Sequence, residues 1–160
     1  MALARKALML RSFLIGLVAG QRGVTPLAVT AAGARQGTLP APAPLQPIIA
    51  HPVVAAGTVT LAAAEMAGDK MKTAPDRIVP AGLIVRSITA AYSGAAMAPR
   101  GQRGAGAAIA VVTALGSSYI GWRARCAAMR KYGQTKTGFA EDAVVLGSGL
   151  AIALAGEKRS

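Results

Sequence analysis

Residues 104–122 read GAGAAIAVVTALGSSYIGW, nineteen positions without a charge. As a helix this stretch rises about 28 Å, close to the roughly 30 Å of a bilayer's hydrocarbon core. Pro99-Arg100-Gly101-Gln102-Arg103 precedes it, and a basic stretch from Arg123 to Lys136 follows. An uncharged apolar run bounded by cations is the pattern of a membrane span. The surrounding composition agrees with that reading. The chain has 160 residues, 37 of them alanine and 19 glycine; 53% are hydrophobic, 4% aromatic and 15% charged. An ordinary soluble domain is roughly 25% charged. Many small residues and few charges suit helices packed closely in lipid. The expected fold is an all-α, polytopic transmembrane helix bundle of about five membrane segments, forming a single membrane domain over 1–160.

Outward from 104–122, four more segments are expected. Residues 12–34 join SFLIGLVAG to VTPLAVTAAGA across Gln21-Arg22-Gly23, after a basic N-terminus at 1–11. Neither half spans alone; together they do, with a break expected near Pro26, which removes a helical hydrogen bond. The same stretch also resembles a secretory signal ending at Ala32-Gly33-Ala34. Residues 35–52 hold five of the nine prolines and His51, and are expected as an extended loop. Residues 53–71, 78–98 and 140–156 supply the remaining segments, with Lys72–Arg77 as a polar turn between the first two and Glu157-Lys158-Arg159 as the close.

The formal net charge is +12. The cations fall in clusters between apolar runs, which fits anionic lipid headgroups better than nucleic acid. With five spans, eleven cations fall on the N-terminal side and five on the other. That asymmetry predicts a cytoplasmic N-terminus in a bacterial inner membrane and an outside C-terminus. One cysteine and one histidine exclude a disulfide scaffold and leave no evident metal site. No nucleophile–base pair can be assembled, so neither an enzyme nor a cofactor is expected. Cys126, Tyr119, Trp122 and Tyr132 read as incidental or interfacial.

Small residues recur four apart at Gly16 and Gly20, at Ala90, Gly94 and Ala98, at Ser117 and Gly121, and at Gly147, Ala151 and Ala155. Such spacing lets helix backbones approach. Six charges lie within otherwise apolar segments: Arg22, Glu65, Asp69, Arg86, Glu141 and Asp142. Each is costly in hydrocarbon and is expected to face inward and pair. Glu65 and Asp69 share one helix face, with Arg22 and Arg86 as candidate cations; Arg86 is the preferred partner of Glu65, and Lys70 points away. The six form a candidate polar cluster in the cytoplasmic half. Gly16, Gly20, Thr25 and Pro26 are the candidate break and packing residues.

Gly16-Leu-Val-Ala-Gly20 followed by Arg22 and Thr25-Pro26 resembles the opening of the bacterial family called domain of unknown function 4126. Ala64-Glu65, Asp69-Lys70, Pro75, Arg77, Leu83-Ile-Val-Arg86, Ser93-Gly94, Gly121, Arg123 and Glu141-Asp142-Ala143 continue the resemblance, which runs from about Leu14 to Leu154. It implies a small integral membrane protein and carries no activity. Two functions are open: a transport or channel module for an ion, proton or small solute, and a non-transporting structural or assembly protein whose charges fix helix packing. A homo-oligomer or a membrane partner is compatible with either.

Overall fold

A computed structural model describes residues 2–40, 42–71 and 78–156. The expected turn at Lys72–Arg77 and the closing Glu157-Lys158-Arg159 lie outside the described residues. The described chain is all helix and turn: α1 (Ala2–Gln21), α2 (Thr25–Gln36), α3 (Gln46–Ile49), α4 (Pro52–Gly68), α5 (Pro80–Met97), a 3₁₀ turn (Arg100–Gln102), α6 (Arg103–Tyr132) and α7 (Gln134–Leu154). Proline stands in the first turn of α2, α3, α4 and α5. There its missing N–H costs nothing and its fixed φ favours entry into the helix.

The segment 12–34 is corrected first. It is two helices, and the second turns back along the first. At the start, the Arg11 guanidinium donates to Ile152 O and Ala153 O at 3.0 Å each and to Thr38 O at 3.4 Å. At the far end, Arg22 meets Asp142. Arg11 and Thr38 therefore lie beside the end of α7, while Arg22 lies about 16 Å up its axis. α1 includes the basic N-terminus from Ala2 onward.

The remaining helices alternate in direction. α4 rises to the Arg22 level and α5 descends, with Ser12 Oγ bonding Gly94 O at 2.9 Å near the lower end. α6 rises again, with Ser118 Oγ on Gly20 O at 3.0 Å, and α7 descends. The Pro-rich 35–52 is partly helical, since α2 runs to Gln36 and α3 lies within it. The expected basic loop 123–136 is also helical: α6 continues to Tyr132, and only Gly133, at φ +83°, separates it from α7.

Among the described residues two helices, not about five, are long and apolar enough to cross a membrane: 100–132 and 134–154. α4 is apolar but has seventeen residues, α2 has twelve, α5 carries Arg86, and α1 carries Arg5, Lys6 and Arg11. Only 28% and 22% of the two apolar windows is buried. The core combines small and polar residues, among them Ala19, Ala90, Ala110, Ala114, Thr30 and Ser93, with larger apolar ones, among them Ile15, Val29 and Met97. Val112, Ile120, Ile88 and Val144 point outward at 65–71% exposure.

α1, α5 and α6 pack closely through the small residues. A Cβ on Gly16 would lie 2.6 Å from Ala110 O, one on Gly20 2.6 Å from Ala114 O, and one on Gly94 2.5 Å from Gly106 O. The last stripe is corrected: Gly147 meets nothing within 4 Å, and Ala151 and Ala155 are exposed. α7 buries Val145, Gly149 and Ala153 instead. The Ala32–Ala34 stretch sits inside α2, with Gly33 and Ala34 buried.

Candidate functional site

The chain between α1 and α2 leaves the helix at Gly23, and two other helices satisfy its backbone. Glu65 of α4 accepts from Gly23 N–H at 2.7 Å through Oε1 and from Val24 N–H at 2.9 Å through Oε2. Thr89 of α5 donates to Gly23 O at 2.6 Å. A helix start has unpaired N–H groups and a partial positive charge, so a carboxylate there is doubly favoured. Glu65 was expected to pair with Arg86. Its carboxylate instead caps α2, and Arg86 lies alongside: a Cβ on Gly23 would be 3.4 Å from Glu65 Oε1 and 3.5 Å from Arg86 Cγ.

Arg22 is the last residue before the break and is 0% exposed. Its Nε donates to Asp142 Oδ1 at 2.9 Å, Nη2 reaches the same oxygen at 2.5 Å, and Nη1 reaches Asp69 Oδ2 at 2.5 Å. Position explains the choice of partners: α4 ends at Asp69 and α7 passes with Asp142 facing in. Arg125 of α6 binds Asp69 Oδ2 and, at 3.0 Å, Glu141 Oε2. Its Nη2 also donates to Asp69 O at 3.0 Å. Lys70 pairs with Asp142 Oδ2 and donates to Met66 O at 2.9 Å.

Of the six expected cluster residues, Arg22, Asp69, Glu141 and Asp142 share one network; Glu65 and Arg86 stand next to it at the break. Lys70 and Arg125 are members that the sequence reading missed. Lys70 was expected to point away, yet its long flexible stem folds back to Asp142. Arg125 was counted with a loop. The signal that could have found it is the absence of glycine or proline from 122 to 132, which lets α6 run on. Among the described residues three cations, Arg22, Lys70 and Arg125, face three carboxylates, Asp69, Glu141 and Asp142. Among the described residues no group of His, Cys, Asp and Glu could hold a metal ion.

Thr25 is fully buried in the first turn of α2, and its Oγ1 has no hydrogen-bond partner among the described residues. Pro26 follows it in that turn, so it begins a helix and does not kink one. His51 caps α4, with Nδ1 accepting from Val53 N–H at 3.3 Å. Cys126 is a free, partly buried thiol.

No family model matches the chain, and none of the curated proteins or solved structures compared with it matches either. The resemblance to domain of unknown function 4126 therefore gains no support from them.

Proposed function

We propose that this chain is a multi-pass protein of the bacterial cytoplasmic membrane, and that its buried charges hold the helices together in a structural or assembly role. The observation that carries the reading is the pairing of the carboxylates. Glu65, Asp69, Glu141 and Asp142 are each engaged by a cation or by backbone N–H groups. The many large apolar side chains on the outer surface, among them Val112, Ile120, Ile88 and Val144, support a lipid surrounding. Backbone that leaves the helix is tolerated in lipid where protein groups satisfy it, as Glu65 and Thr89 do at Gly23. The reading involves no catalytic step, no cofactor and no nucleic acid. Anionic headgroups are the partners of its exposed cations, and a second copy or a membrane partner is compatible with its apolar faces.

One observation favours transport as a second reading. The helix break sits beside an intramembrane charge network, as in many transporter sites, and Arg125 and Glu141 also line an open groove. Reconstitution into liposomes separates the two readings. The structural reading expects proton and cation flux no greater than in empty vesicles. Flux that Asp142→Asn abolishes establishes transport.

A further inference from the structure

α6 and α7 meet at Gly133 and leave between them an open groove of about 680 Å³. Its hairpin end is polar and cationic, with Tyr132, Lys136 and Thr137; its walls are Ala124, Ala128, Ala140 and Val144. It continues into a second hollow of about 360 Å³ that shares Gln21, Gly121, Val144 and Val145 and adds Leu14, Leu17, Ile120 and Ile152. From Lys136 to Ile152 the path along α7 is about 24 Å, more than half of the ~30 Å hydrocarbon thickness. Charge grades along it in one direction. Arg130, Lys131 and Lys136 crowd the hairpin end, and the one carboxylate among the described residues that line the groove, Glu141, is paired with Arg125. Arg125 is committed to Asp69 and Glu141. Lys136 is exposed and makes no ion pair among the described residues.

We infer that this groove binds one anionic phospholipid, with an acyl chain along α7 and the phosphate on Lys136 beside the Tyr132 hydroxyl. The amphipathic grading selects a lipid over a partner helix, because a helix would leave the cationic end without a counter-charge. A basic pocket between membrane helices is a known form of anionic-lipid site. The inference rests on the membrane reading above.

The test is thermal unfolding of the purified protein in mild detergent, titrated with phosphatidylglycerol or with phosphatidylcholine of the same chains. Phosphatidylglycerol is expected to raise the midpoint saturably and phosphatidylcholine to raise it much less. Lys136→Glu is expected to weaken the phosphatidylglycerol response about fivefold or more. Ala140→Trp, which fills the groove from an exposed position, is expected to abolish it; if that variant does not fold, Lys136→Glu carries the test. Equal responses to the two lipids, or an unchanged response in Lys136→Glu, overturn the inference. So does disulfide crosslinking of two copies through a cysteine at position 140 in vesicles, which would make the occupant a second chain. Carbonate washing of the source membranes separates the failures. A protein that washes off defeats the membrane reading, whereas one that stays but ignores phosphatidylglycerol defeats only this site.

Discussion

Arg22 is where the cost of a wrong substitution is greatest. It is fully buried and holds Asp69 and Asp142 at once. Arg22→Gln leaves carboxylates without their central cation, and breaking a buried pair costs about 3–5 kcal/mol. The expected outcome is loss of folded protein, measured as abundance and melting temperature, with partial recovery in Arg22→Gln/Asp142→Asn. Glu65 behaves differently because its partners are backbone N–H groups. Glu65→Gln keeps one accepting oxygen, whereas Glu65→Ala strands both donors at the start of α2, at about 1–3 kcal/mol each. The melting temperature should therefore fall in the order wild type, Glu65→Gln, Glu65→Ala; a variant Glu65→Ala as stable as wild type would remove the cap from the account. Thr25→Val is close in shape and deletes a buried hydroxyl that has no hydrogen-bond partner among the described residues. It should leave the melting temperature unchanged or raise it. A fall in transport at unchanged stability would instead assign that hydroxyl to a solute.

At the scale of elements, the two kinds of glycine separate cleanly. Gly20→Ala drives a Cβ to 2.6 Å from Ala114 O, which is backbone and cannot yield. Gly147→Ala meets nothing within 4 Å and gains up to about 1 kcal/mol of helix propensity. The melting temperature should drop in the first and hold or rise in the second. Pro26→Ala should cost little, because the proline is in a first turn that lacks an intrahelical N–H bond in any case. Helix identity and the small-residue faces of α1, α5 and α6 were legible because four-residue spacing reports a face directly. The face of α7 was not. Gly147-Ala151-Ala155 and Val145-Gly149-Ala153 carry the same period two residues apart, and only the neighbours Val18 and Val29 select the second. In the site, four of six charges were legible as one cluster because charges in apolar helices have few places to go. Lys70 and Arg125 were hidden by the reach of long side chains and by the resemblance of a basic helix end to a loop.

For the whole molecule, the sense of the break at Gly23 decides the topology. A kinked span and a hairpin carry the same marks, a glycine followed by a proline, so the sequence could expect the break without its direction. The direction follows from contacts remote in sequence: Glu65 and Thr89 on Gly23, and Arg11 on Thr38 and on the end of α7. On the membrane reading proposed above, turning α2 back makes the number of antiparallel passes even. The flanking cations are then redistributed by chain order. Among the described residues Arg5, Lys6, Arg11, Arg35, Arg100 and Arg103 fall at one end; Lys70, Arg123, Arg125, Arg130, Lys131 and Lys136 fall at the other. Six against six removes the asymmetry that favours a cytoplasmic N-terminus, so the positive-inside rule no longer selects an orientation. It leaves a relative prediction that is sharper. Reporter tags at the N-terminus, within Pro42–Pro47 and at the C-terminus should all report one compartment, and a tag at Gly133 the other. Five spans would put Pro42–Pro47 and the C-terminus opposite the N-terminus. A paired readout of the N-terminal and Pro42–Pro47 tags therefore separates the hairpin from the kinked span without knowing which side is the cytoplasm, and opposite signals from those two tags would overturn the hairpin.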